Sequence, residues 1–252
     1  MKGLTKYRFL IRFLTGISLL LLPLDMYPQN CFQPGEELTM QIYFGPVNAG
    51  LVEAHLEKVI FEGKELYHAR ALARTTGLAD RLYKVRDIYE GYFDSLSLLP
   101  IKSVRDISEG RYKKYDEVMY DHESGKAYSI KSGEHDVPAD IMDMATAFYF
   151  IRNIDYDTMS HGQIIDIDTF FDDEVFPFDM RYYGKEELKT RGGTFKCIKL
   201  VPFVEPGRIF ESEDDMTIWI SDDANRVPVR VRFNLIVGAI KCDLIGYSGL
   251  KY

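Results

Sequence analysis

The feature that most constrains the fold of this 252-residue chain is a recurrent alternation of apolar and polar residues with a period of two. It is clearest in the segments 39–44, 165–168, 227–233 and 240–244. Successive side chains of a strand point to opposite faces of a sheet, so this alternation predicts antiparallel strands with one face on a core and one in water. Turn residues such as Gly, Ser, Asp and Asn separate the segments, which predicts short strands joined in sequence as a meander.

One segment has the periodicity of a helix instead. The apolar side chains that follow Pro138 recur at intervals of three and four residues, at Ile141, Met144, Ala145, Phe148 and Ile151. Asp140 and Asp143 fall in the first turn and Arg152 falls in the last turn, as the helix dipole favours. The sequence therefore predicts one principal helix, from about Asp140 to Arg152, that packs on one face of the sheet.

Composition supports a folded β domain. Hydrophobic residues make up 46% of the chain, which is enough for a packed core and excludes intrinsic disorder. Aromatic residues reach 13%, with 17 Tyr and 16 Phe but a single Trp, and such side chains pack well on half-buried strands. All-β folds of this length often form one domain. We therefore expect a single, mainly-β domain over residues 27–252.

The first residues have the pattern of a secretory signal peptide. Four basic residues within 1–12 precede an apolar run at 13–22, which is shorter than the roughly 20 residues that span a bilayer. We predict a signal peptide over residues 1–26, with cleavage between about Leu24 and Cys31; an uncleaved anchor is the alternative. Acylation at Cys31 would attach the protein peripherally to a membrane, but residues 28–30 are not the small residues that a lipoprotein signal requires. Export without lipid is therefore favoured.

Charge excludes one class of partner. The chain has a net charge of −8, and removal of residues 1–26, with four basic residues and one acid, gives −11. A nucleic-acid-binding protein needs a basic surface to neutralise phosphates, so no nucleic-acid partner is expected. An acidic exported protein is also poorly suited to bind anionic lipid headgroups directly.

No recognisable motif assigns a reaction to this sequence. The chain contains no H-E-x-x-H metal motif, no G-x-S-x-G nucleophile motif and no glycine-rich phosphate loop, so no catalytic residue, metal ligand or cofactor is predicted. Acidic clusters at 172–174, 211–215 and 222–223 could supply opposed carboxylates for glycoside hydrolysis or oxygens for Ca²⁺. Solvated acidic turns are the favoured interpretation. Cys197 and Cys242 form either a disulfide or, as we favour, two buried thiols.

A short near-repeat places arginines on two early strands. Residues 85–93 resemble residues 104–112, with Arg86 and Arg105 at matching positions. Either the two strands present these arginines on one polar face, or, as we favour, the arginines pair with Asp residues across the sheet.

Several segments together resemble an exported bacterial family, domain of unknown function 3108. They are 35–38, 49–50, 83–87, 93–94, 98–100, 140–143, 148–152, 193–195, 219–223 and 226–230, with Tyr43 and Pro202. The resemblance covers essentially the whole chain after the signal peptide. It implies a curved antiparallel β-sheet, half-barrel or open-barrel like, similar to periplasmic lipoprotein carriers. It implies no activity and no catalytic residues.

Three functions are consistent with these features. The first is a non-enzymatic binding module of the periplasm or outer membrane for an amphiphilic lipid or glycan, because aromatic side chains on a concave sheet supply contact area. The candidate ligand-binding residues, which could face an anionic group, are Arg74, Arg81, Tyr83, Arg86 and Arg105. The alternatives are a glycan hydrolase that uses loop carboxylates and a structural partner in an envelope protein complex.

Overall fold

The computed structural model describes residues 30–204, 212–236 and 238–252, so the predicted signal peptide lies outside the described residues. The strands are β1 (Glu37–Phe44), β2 (Val47–Phe61), β3 (Lys64–Thr75), β4 (Arg86–Phe93), β5 (Pro100–Glu109), β6 (Tyr112–Asp121), β7 (Lys126–Ser129), β8 (Gly133–Asp136), β9 (Ile164–Ile165), β10 (Asp168–Phe171), β11 (Glu174–Pro177), β12 (Met180–Thr190), β13 (Gly193–Pro202), β14 (Met216–Ser221), β15 (Pro228–Leu235) and β16 (Gly238–Ser248). The helices are α1 (Gly77–Leu82) and α2 (Met144–Arg152).

Fourteen of these strands form one curved sheet that does not close into a barrel. Its order is β8-β7-β6-β5-β4-β3-β2-β1-β16-β15-β14-β13-β12-β9, while β10 and β11 form a separate hairpin. Strands β1 to β8 form one meander and β12 to β16 form another, to which β9 is added beside β12. The first and last strands, β1 and β16, pair where the two meanders meet. The prediction of a mainly-β, curved antiparallel fold is confirmed.

The hairpin between β2 and β3 shows how local sequence determines the meander. Glu62 and Gly63 connect the strands, and both have positive φ angles, of 49° and 80°. Two-residue turns with positive φ angles match the right-handed twist of antiparallel strands, and glycine adopts a positive φ angle without strain. The register is then regular from the pair Phe61 and Lys64 to the pair Gly50 and Thr75.

Helix α2 is the predicted principal helix, but it begins later than the sequence indicated. Asp143 is its N-cap: the carboxylate accepts from the backbone amides of Ala145 and Thr146, at 2.7 and 3.2 Å, and the Thr146 hydroxyl closes a capping box. Asp140 therefore lies before the helix rather than in its first turn. The preceding Met142 pairs with Thr169 in an isolated bridge, which holds that segment extended.

Helix α2 covers one face of the sheet, here called the inner face; the opposite face is the outer face. Gly91 of β4 permits this packing, since a Cβ atom at that position would lie 3.1 Å from both the Ala145 Cβ and the Asp143 carboxylate. The largest core cluster contains Ala147 and Ile151 of α2 together with residues of β12, β13 and β14.

The cysteines within the described part of the chain are free and buried. Cys197 packs with Trp219 and Val229, whereas Cys242 belongs to a different cluster with Leu38. Burial raises the pKa of each of these two thiols to about 12. The interpretation of Cys197 and Cys242 as buried thiols agrees with this arrangement.

Candidate ligand site: an apolar cavity beneath helix α2

A cavity of about 260 Å³ lies between helix α2 and the inner face of strands β1 to β4. Its lining is Leu38, Met40, Val52, Ala54, Ala69, Arg70, Ala71, Tyr89, Met144, Ala145, Phe148, Tyr149 and Pro228. Ten of these thirteen side chains are aliphatic or thioether groups, Phe or Pro. Walls of this composition suit an apolar ligand, because a hydrocarbon chain buried against them needs no polar partner.

Small side chains on adjacent strands form the floor of this cavity. Ala54 of β2 pairs directly with Ala71 of β3, and Ala69 of β3 pairs with Gly91 of β4. These residues lie where larger side chains would fill the space below α2. The cavity is therefore a consequence of sequence, because the sheet presents alanine and glycine opposite the helix.

The roof of the cavity is fixed at both ends of α2. The capping box at Asp143 fixes the N-terminal end. At the C-terminal end, Arg152 is fully buried and ion-paired to Glu36. Between these anchors, Met144, Ala145 and Phe148 face the alanine floor. A roof held at both ends preserves the space, since the helix has little freedom to settle onto the floor.

One end of the cavity is polar. A small recess shares Tyr89, Met144 and Ala145 with the main cavity and is also lined by Arg105 and Asp143. Arg105 of β5 pairs with Tyr89 across the sheet, and its guanidinium lies 4.0 Å from the centre of the Phe171 ring. It forms an ion pair with Asp172, yet its buried Nε donates no hydrogen bond. A buried donor without an acceptor costs about 1–3 kcal/mol, which a ligand oxygen would recover.

Asp143 is the second ionisable group at this polar end. Its side chain is buried, and burial raises the pKa of the carboxyl to about 6, although hydrogen bonds from backbone amides and from Thr146 oppose the shift. Tyr89 has a raised pKa for the same reason, burial. The recess is also lined by Glu90, so one guanidinium and two carboxyl side chains border it.

The five candidate residues from the sequence do not converge. Arg74 and Arg86 are cross-strand partners on the outer face, and each is neutralised, by Glu53 at 2.9 Å and by Asp80 at 2.8 Å. Arg81 is exposed on α1. The Tyr83 hydroxyl donates to the Glu109 carbonyl at 3.1 Å. Arg105 alone lies on the inner face at the cavity.

The near-repeat therefore does not present Arg86 and Arg105 on one face. A register shift between Tyr92 and Phe93 in the β4–β5 pair leaves Ile101 without a partner. A one-residue shift moves every later side chain to the other face, so Arg105 turns inward while Arg86 remains outside. The prediction that these arginines pair with Asp residues across the sheet is also wrong. Arg86 pairs with Asp80 of α1, and Arg105 pairs with Asp172 of the β10–β11 hairpin.

Sequence reasoning missed the alanine floor, although a signal for it exists. Ala69, Ala71 and Ala73 alternate along β3 with larger polar or branched residues, and the period of two places all three on one face. Three successive core-facing alanines leave space below a covering element that larger side chains would fill. The alternate alanines of β3 therefore indicate a cavity.

The described acidic loops are engaged in local interactions. Asp172 forms ion pairs with Arg105 and Lys114, and Asp222 forms one with Lys185 at 2.8 Å. The Asp223 carboxylate accepts from the backbone amides of Asn225 and Arg226. Glu211 lies outside the described residues. Within 30–204, 212–236 and 238–252, no group of three or more His, Cys, Asp or Glu residues is arranged to hold a metal ion.

No helix in the described part of the chain has the length and apolar character needed to span a membrane. Together, the fold and the cavity define a class: an open, strongly curved antiparallel sheet whose inner face is covered by one helix over an apolar cavity. The chain belongs to the DUF3108 family of proteins of unknown function, whose model matches residues 39–245. The predicted family is thereby confirmed.

The fold is similar to that of a solved structure. A β-barrel-like protein of the DUF1849 family from Brucella abortus superposes with a TM-score of 0.56 at 8% identity, covering 86% of this chain and 98% of its own. A protein from Bacteroides fragilis, described as a predicted exported protein with a YmcC-like fold, gives a TM-score of 0.35 at 11% identity, covering 87% of this chain and 100% of its own. At 8% identity the similarity to the Brucella abortus protein concerns the fold alone. No curated protein matches the sequence.

Proposed function

We propose that this protein is a non-enzymatic binding module of the bacterial cell envelope, whose cavity holds one hydrocarbon chain of an amphiphilic molecule. The observation that carries the proposal is the cavity beneath α2, walled almost entirely by apolar side chains. Its volume of about 260 Å³ lies below the roughly 300–1,000 Å³ of sites for drug-sized ligands. This size suits a single chain better than a lipid with several chains.

A lipid is favoured over a glycan by the chemistry of the walls. A sugar ring needs a polar partner for each buried hydroxyl, because unpaired polar groups are costly to bury. Arg70 and the two tyrosines Tyr89 and Tyr149 carry the only polar side chains among the lining residues. A hydrocarbon chain needs none, and each methylene group removed from water contributes about 0.8 kcal/mol.

Arg105 is the group proposed to bind the polar end of the amphiphile. It lies in the recess that continues the cavity, and its Nε is buried without an acceptor. A carboxylate or phosphate oxygen would satisfy this donor with a charge-assisted hydrogen bond. Of the five residues predicted from the sequence, Arg105 is the one that this proposal retains.

The cellular location is part of the same proposal. The pattern of residues 1–26 supports export, and we place the mature protein in the periplasm or at the outer membrane. An acyl chain in such a compartment needs a dry site to be carried through water. No contact of the described acidic loops favours the hydrolase alternative.

The test compares fatty acids with alcohols of equal chain length. Native mass spectrometry of the mature protein, purified from its own envelope, is expected to show a bound amphiphile. In thermal-shift titrations the acid should bind more tightly than the alcohol, and Arg105→Gln should remove this preference. Arg81→Gln, an exposed control, should retain it. Absence of a bound amphiphile together with no shift for either series, or a shift only with glycans, would overturn the proposal.

A further inference from the structure

A second cavity lies on the opposite, outer face of the sheet. It has a volume of about 210 Å³ and is bounded by the tip of the β12–β13 hairpin on one side and by β1, β15 and β16 on the other. Its lining is Tyr43, Gly45, Lys189, Thr190, Arg191, Arg230, Lys241 and Asp243. We refer to this group as the basic cleft. It shares no lining residue with the apolar cavity beneath α2.

The hairpin tip is held in place over the outer face. Leu188 and Phe195 pack on a small cluster of Cys197, Trp219 and Val229. Close approach to β16 requires Gly192, since a Cβ atom there would lie 2.9 Å from the Leu244 carbonyl oxygen. The wall of the basic cleft is therefore built by specific packing.

Arg191 at the tip is also fixed by neighbouring side chains. Its guanidinium lies 4.3 Å from the centre of the Tyr43 ring, and one of its nitrogens donates to the Asn48 side chain at 3.1 Å. Both contacts join the tip to the β1–β2 region across the cleft. A guanidinium held in this way loses little further freedom when it binds a ligand.

The charges of the basic cleft are unbalanced. Arg230 and Asp243 neutralise each other through two contacts, at 2.5 and 2.6 Å. Lys189, Arg191 and Lys241 form no ion pair with any carboxylate of the described chain. Lys241 also pairs across the sheet with Arg232, and like charges directly opposite each other are destabilising. Three uncompensated cations around one cleft, in a chain of net charge −8, point to a bound anion.

We infer that the basic cleft binds a phosphoryl group. Arg230 is already paired with Asp243, so Arg191 is the guanidinium among the lining residues that is available to a ligand. The two lysines act as point charges, which suit the several equivalent oxygens of a phosphate, and Arg191 supplies the remaining donors. A phosphate monoester with up to two negative charges would offset most of the three free cations. The inference is independent of the proposed function, because it rests on other residues on the other face.

The phosphoryl group could belong to a soluble phosphomonoester or to a lipid headgroup, and two probes distinguish these sources. Glycerol 3-phosphate is titrated into the mature protein and followed by the backbone amide signals of Gly192, Gly193 and Lys241, with glycerol as the uncharged control. Flotation with phosphatidylcholine vesicles, with and without phosphatidic acid, tests the lipid source. We expect the amide shifts to saturate with glycerol 3-phosphate but not with glycerol, or vesicle binding to require phosphatidic acid.

The variant Lys189→Gln/Lys241→Gln should weaken binding by about tenfold or more, since charge-assisted hydrogen bonds are lost. The matched control Lys84→Gln/Lys131→Gln removes the same charge from exposed positions and should leave affinity unchanged. Circular dichroism verifies that each variant folds, and the single substitutions replace the double variant if it does not. No response to either probe, or equal loss of affinity in the control, would overturn the inference.

Discussion

Arg152, at the C-terminal end of α2, forms a fully buried bidentate ion pair with Glu36, which precedes β1. The two guanidinium nitrogens donate to the two carboxylate oxygens at 2.6 and 2.7 Å, and one also donates to the Asn225 carbonyl at 2.9 Å. Relative exposure of the two side chains is 0% and 1%. The pair therefore ties the helix that roofs the cavity to the segment that leads into the centre of the sheet. The sequence alone predicts only that Arg152 lies in the last helical turn, where the helix dipole favours a cation.

Breaking this pair on one side should be strongly destabilising. Arg152→Met leaves the Glu36 carboxylate buried without a cation, and such a loss typically costs about 3–5 kcal/mol. The double variant Glu36→Leu/Arg152→Met removes both charges, so its free energy of unfolding should lie much closer to that of the wild type. Urea denaturation of Glu36→Leu, Arg152→Met and the double variant measures the coupling energy between the two residues. Simple additivity of the two single effects would show that the residues do not act as a pair.

Asp143 should make stability depend on pH in an unusual direction. Its pKa is raised to about 6 in the folded protein, against about 4 in an unfolded chain, so between these values the folded state binds the proton more tightly. The stabilisation is fully present below about pH 4 and is lost as the pH rises through about 6. The change over this window is about 3 kcal/mol.

Asp143→Asn isolates this contribution, because asparagine caps helices nearly as well as aspartate. Above pH 6 the variant should be at least as stable as the wild type, and its stability should change less between pH 4 and 6. Thermal melts across this range measure both proteins. Parallel pH profiles would contradict the assignment of the raised pKa to Asp143.

Cys31 is expected to remain unacylated in the mature protein. Its side chain is 7% exposed, its thiol donates to the Arg152 carbonyl at 3.3 Å, and its backbone amide donates to the Asn153 side chain at 2.9 Å. A thioether-linked lipid would have to displace these contacts. Intact-mass measurement of protein exported to the envelope should give an unmodified chain beginning between about Leu24 and Cys31. A mass increment of an acylated lipoprotein, or retention of Met1, would contradict this prediction.

The parts of the fold that could be predicted are those that local sequence determines. Alternation of apolar and polar residues predicts strands wherever one face of the sheet is buried. The Glu62–Gly63 pair predicts the turn of the β2–β3 hairpin. The pairing of β1 with β16 joins residues 37–44 to residues 240–248, and no local pattern specifies it. Helix α2 begins after Asp143, which caps it, and not at Asp140. The bridge between Met142 and Thr169 holds the preceding segment extended, so the helix does not begin earlier.

The site was less predictable because it depends on register. A single unpaired residue, Ile101, determines that Arg105 points to the cavity while Arg86 does not. The partners of both arginines, Asp172 and Asp80, lie in a separate hairpin and in a short helix that the alternation pattern did not reveal. The alanine row of β3 could have been read from the sequence, but its meaning depends on the helix that lies over it.

The central claim is that the cavity beneath α2 is a ligand site, and filling it is the most direct test. Ala54→Leu/Ala71→Leu places two larger apolar side chains on paired floor positions, whereas Ala139→Leu adds one at an exposed position outside the cavity. We predict that the filled variant folds with a Tm equal to or above that of the wild type and no longer binds the fatty acid in calorimetric titration, while Ala139→Leu binds as the wild type does. Undiminished binding by the correctly folded, filled variant would contradict the account.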